Sequence, residues 1–89
     1  MKDQIAMFRF TLGQGQSIGP TQLQSLWARA CQTPQVSVGR APGAHGSDRP
    51  TYSLYASQRL ENLPNVELRL RELLDQNKLR ASLIALHQR

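Results

Sequence analysis

An 89-residue chain of 10.0 kDa suits one domain, residues 1–89, and a domain that small buries only a modest share of its unfolded surface. With 39% hydrophobic residues but five aromatics, the core must be built mainly from Leu, Val, Ile and Ala, so a partner subunit would help it. The single cysteine, Cys31, excludes an internal disulfide and a zinc site of several thiolates, while the formal charge of +5 suits either an anionic partner such as nucleic acid or simple solubility.

Residues 4–12 alternate, with Ala6, Phe8, Phe10 and Leu12 on one side and Ile5, Met7, Arg9 and Thr11 on the other. This predicts a strand whose first set faces the core and whose second set faces a wetter, partly apolar side. Residues 13–19 punctuate, and Pro20 fits the first turn of a helix, where its missing N–H costs nothing. Leu23, Leu26, Trp27 and Ala30 then recur at i, i+3, i+4 and i+7, a single apolar stripe. That helix should stop before Pro34, because a residue preceding proline disfavours helical geometry.

Val36 and Val38 alternate with Gln35 and Ser37, and after the Gly/Pro-rich stretch at 41–50 a second run, 51–57, alternates through Tyr52, Leu54 and Ala56. The two runs predict an antiparallel hairpin. Pro64 and Asn65 offer a helix start, with Asn65 as N-cap and Glu67 near the positive end. The leucines beyond it form two sets: Val66, Leu70, Leu73 and Leu74 share one side, and Leu68, Leu79, Leu83 and Leu86 fall roughly opposite. Either the helix breaks near Asn77, between Asp75 and Lys78, or one long helix carries a second stripe that needs a partner. The resulting expectation is a small α+β domain, β-α-β-β-α, with a three-stranded antiparallel sheet packed with two or three helices.

Nine of the eleven basic residues are Arg, which favours planar, bidentate contacts to phosphate or carboxylate. Residues 1–60 hold six bases against two acids, and residues 61–89 five against four, so the uncompensated charge lies in the first part. The 41–50 stretch brings Arg40, His45 and Arg49 close in sequence, able to close on a phosphodiester backbone, with solvated turn chemistry as the simpler alternative. Tyr52 and Tyr55 fall on opposite faces of their strand. If Tyr55 shares an exposed face with Arg9 and Arg40, that face could stack and neutralise single-stranded nucleic acid.

The segment Gly13-Gln14-Gly15-Gln16-Ser17-Ile18-Gly19 sits between strand and helix, where backbone amides can cradle phosphate, but its GxGxxxG spacing matches neither a P-loop nor a dinucleotide fingerprint. A plain connection is the competing reading. Cys31, beside Ala30 at the end of the first helix, suits a small core residue better than a nucleophile. His45 and His87 make no metal motif, and no cofactor motif is present. The order helix, strand, Gly43-Ala44-His45 loop, strand, helix over residues 20–79 is similar to HicA-type mRNA interferase toxins, which implies a small RNA-binding fold with a histidine near a strand. The Gly-Ala-His in place of Gly-Ser-His, the additional leading strand and the missing third strand after Ser57 leave the chain outside that family.

Three functions follow as expectations. The first is a non-catalytic nucleic-acid-binding or regulatory accessory protein, meeting RNA or DNA through Arg9, Arg40, His45, Arg49 and Tyr55. The second is a protein-interaction module or homodimer using Leu68, Leu79, Leu83 and Leu86. The third is a small RNase-like toxin using His45 for proton transfer. No apolar run is long enough to span a membrane, and Lys2 and Asp3 lead into a mixed segment, so a cytoplasmic setting is expected.

Overall fold

A computed structural model describes residues 4–13, 15–41, 50–60 and 62–86. Six elements follow in order: β1 (Gln4–Leu12), α1 (Pro20–Cys31), β2 (Ser37–Ala41), β3 (Thr51–Ser57), α2 (Leu63–Gln76) and β4 (Ala81–Ala85). The protein is α+β, with two helices and a four-stranded antiparallel sheet in the order β2-β3-β1-β4. This is the split βαβ, or ferredoxin-like, arrangement: each helix leads between parallel strands separated by a third strand running the other way.

The sheet has one strand more than the sequence suggests. Leu79, Leu83 and Leu86 lie at helical spacing, but Ala81, Leu83 and Ala85 also alternate at the spacing of a strand, and β4 uses the second period. It pairs with β1, placing Leu83 opposite Phe10 and Ala81 opposite Leu12. The helix does end at the expected place: α2 stops at Gln76, the Asn77 backbone N–H bonds Leu73 O, and Lys78, not Asn77, takes the left-handed conformation at φ 59°. Its start is displaced toward the N-terminus, since Asn62 at φ 58° precedes Leu63 and Pro64 occupies the first turn, leaving Asn65 inside the helix.

Both helices cover one sheet face. Phe8, Phe10 and Leu12 from β1 and Tyr52, Leu54 and Ala56 from β3 meet Leu23, Leu26, Trp27 and Ala30 of α1 and Val66, Leu70 and Leu74 of α2. Trp27 is fully buried, meets Phe8 edge-on at 5.7 Å between ring centroids, and donates its indole N–H to the Tyr55 carbonyl at 2.8 Å. Phe10 stacks on Tyr52 at 5.1 Å, and the Tyr52 hydroxyl accepts the Ile18 N–H.

The alternation of β1 holds only beyond Met7. The β1–β3 register shifts between Ala6 and Phe8, a bulge that adds one residue and inverts the preceding positions. Ala6, expected in the core, therefore pairs with Tyr55 on the other face, while Met7, expected on the wet side, is 1% exposed. Period-two counting cannot register an inserted residue.

Candidate functional site

The second face of the sheet is covered by neither helix. The strand registers align one row straight across it, Gly39 (β2) to Ser53 (β3) to Arg9 (β1) to Ile84 (β4), and cross-strand partners share a face. Around that row stand Thr11, Ser37, Thr51, Tyr55, Ser57 and Ser82, so the surface is rich in hydroxyls. Gln4 spans one end, accepting from the Ser37 hydroxyl at 2.6 Å and donating to the Gln35 carbonyl at 3.2 Å.

Arg9 is exposed near the middle of this face and has no carboxylate partner among the described residues. Every acid among the described residues, Glu67, Glu72 and Asp75, lies on α2, behind the opposite face. Helix-side cations have local work: Arg71 pairs with Glu67 at 2.8 Å, and the Arg69 side chain donates to the Ala30 carbonyl at 2.8 Å, near the negative end of α1. Among the described residues, the guanidinium of Arg9 thus stands on a face without compensating charge, while basic groups on the helices share their side with the acids.

Tyr55 belongs to the same face, with Tyr52 taking the core position expected of one of the pair. Its backbone partner on β2 is Ser37, yet its ring leans along the sheet to the diagonal position, Gly39. A Cβ placed on Gly39 would lie 3.3 Å from Tyr55 Cε2 and 3.8 Å from its hydroxyl oxygen. The phenol has no hydrogen-bond partner among the described residues.

Arg40 does not join Arg9 and Tyr55. It pairs with the buried Tyr52, so its register places it on the helix-covered side, exposed near the end of β2. The expectation of one surface shared by Arg9, Arg40 and Tyr55 therefore holds for two of the three. His45 and Arg49, and with them the RNase reading, lie outside the described residues. The leucine set is dispersed: Leu68 is 60% exposed on α2, Leu79 and Leu83 pack against the core, and the Leu86 backbone N–H bonds Met7 O. There is no second stripe on one long helix, because α2 ends before three of the four.

The glycine-rich connection between β1 and α1 is engaged internally. Gly13 N–H donates to Arg80 O, Gln16 N–H to Gly13 O, and Ile18 N–H to the Tyr52 hydroxyl, so these amides do not face an anion. The Gln16 side-chain amide donates to Lys78 O and accepts from Arg80 N–H, both at 2.8 Å, fastening this connection to the approach to β4. Among the described glycines, Gly15 alone needs its glycine for backbone reasons, at φ 79°. Burial pushes the Cys31 thiol up to about 12, opposed weakly by Arg69, which makes the residue a poor nucleophile at neutral pH. No cluster of His, Cys, Asp or Glu suited to a metal occurs among the described residues, and no helix among them is long and apolar enough to cross a membrane.

The signal for this site was partly present in the sequence: the parity of Tyr55 and Arg9 put both on the outward side. Gly39 was missed as a part of it, because only the three-dimensional lean of the tyrosine gives that glycine a role. No protein-family model, curated protein or solved structure matches the chain.

Proposed function

We propose that the protein is a small non-catalytic nucleic-acid-binding protein that uses the uncovered face of its sheet, with Arg9 contacting phosphate. The observation that carries this reading is the pairing of an exposed guanidinium, without a carboxylate partner among the described residues, with an aromatic side chain, on a hydroxyl-lined face from which the described acids are absent. Four-stranded antiparallel sheets with a bare face serve RNA-binding modules in this way, and here it is the residues, not the architecture alone, that favour the function. Ser and Thr hydroxyls add neutral donors and acceptors for phosphate and sugar.

The test is fluorescence anisotropy with labelled oligonucleotides across a salt series. Phosphate neutralisation predicts that log affinity falls linearly with log salt concentration. Binding that ignores salt, or no binding at low salt, would remove the reading.

A further inference from the structure

We infer that the ligand of this face is single-stranded nucleic acid, one unpaired base of which stacks on Tyr55, and that Gly39 is the residue that makes the stack available. The inference rests on the nucleic-acid reading above and adds to it the strandedness of the ligand and a positioning residue.

The geometry is specific to this pair of strands. Side chains on a strand stand roughly perpendicular to the sheet and lean along the strand direction. The Tyr55 ring reaches diagonally toward Gly39: its Cε2 and hydroxyl oxygen come within 3.3 and 3.8 Å of where a Gly39 side chain would begin, so a side chain there would press on the ring edge and displace it. Glycine weakens a strand interior and often marks close approach of another group, and the edge of the Tyr55 ring beside Gly39 is that group.

The ring thus reaches over the open face beside Gly39 and is only half-buried, so part of its surface meets solvent. A base paired within a duplex has both faces occupied by its neighbours, whereas an unpaired base can be splayed onto such a ring. Arg9 lies on the adjacent strand in the same row as Gly39, opposite Ser53, so a nucleotide stacked on Tyr55 places its neighbouring phosphate toward the guanidinium. Because every base has a π-face, the stack tolerates any sequence.

The experiment compares a short fluorescein-labelled oligouridylate with a duplex of equal length at low salt, for wild type and for Tyr55→Ala, Tyr55→Phe and Gly39→Val. The single strand is expected to bind at least about tenfold more tightly than the duplex, and Tyr55→Ala to lose about 5- to 150-fold in affinity. Tyr55→Phe keeps the ring and should stay near wild type, and the Tyr55 ring protons should move upfield when the oligonucleotide binds. Gly39→Val, in a strand that suits a β-branched residue, should retain a cooperative melt yet bind like Tyr55→Ala. Equal affinity for the duplex, or wild-type binding by Tyr55→Ala, overturns the stacking inference while leaving phosphate binding intact. Wild-type binding by a folded Gly39→Val overturns the role of the glycine; should that variant fail to fold, the two tyrosine variants still decide the stack. Absence of binding to either probe overturns the functional reading itself.

Discussion

Trp27 joins the two layers of the protein through one atom. Its ring fills the interface between α1 and the sheet, and its indole N–H satisfies the carbonyl of Tyr55, beside the bulge that interrupts the β1–β3 ladder. Trp27→Phe should keep most of the packing but orphan that carbonyl, costing about 1–3 kcal/mol by urea unfolding with an unchanged m-value. Cys31 offers a second residue-level test. Its thiol is held neutral up to about 12 by burial against a usual value of 9.0, so the folded pKa is raised. The stability this represents is complete below pH 9 and declines as pH rises from there toward 12, because the unfolded chain ionises first. Ellman's reagent at pH 8 should therefore label the native protein only at the rate of opening, and label it at once in denaturant. Rapid labelling without denaturant would contradict the burial of this side chain.

At the scale of elements, β1, α1 and β3 were legible from residue patterning because each is punctuated: Pro20 begins the helix, Pro34 follows its end, and Tyr52, Leu54 and Ala56 alternate without interruption. β4 was not legible, since five residues that contain two neighbouring branched apolar side chains fit either period, and the deciding term is pairing with β1, some seventy residues earlier. The half of the candidate site visible in advance, Arg9 and Tyr55, follows from parity within well-formed strands. The rest depends on register, which separates Arg40 from them and brings Gly39 in. Leu83→Glu distinguishes the strand from the helical stripe: opposite Phe10 and packed on the core, it should lower stability by roughly 1–3 kcal/mol, not merely change the mass in solution. Gln16→Ala removes both side-chain bonds that fasten the β1–α1 connection to the approach to β4, leaving the Gly13–Arg80 backbone bond, and should cost about 1 kcal/mol. Hydrogen exchange should quicken first at the Arg80 amide, with the β3 amides little affected.

For the molecule as a whole, charge is segregated more than it is abundant. The acids among the described residues ride on α2, while Arg9 stands near the middle of the open face, so the formal charge of +5 alone describes the partner poorly. If a diffuse positive field drew nucleic acid in, any arginine would do; if one face receives the strand, position decides. Arg9→Gln and Arg29→Gln separate these possibilities, because each lowers the net charge by one while acting on opposite sides of the sheet. Arg9→Gln should weaken oligonucleotide binding and reduce the magnitude of the log–log salt slope by about 0.7, the value for one phosphate contact on a single strand. Arg29→Gln, in the last turn of α1, should leave the slope where it was. Equal shifts in the two variants would mean that the open face has no privileged part in binding, and that the attraction belongs to the whole surface.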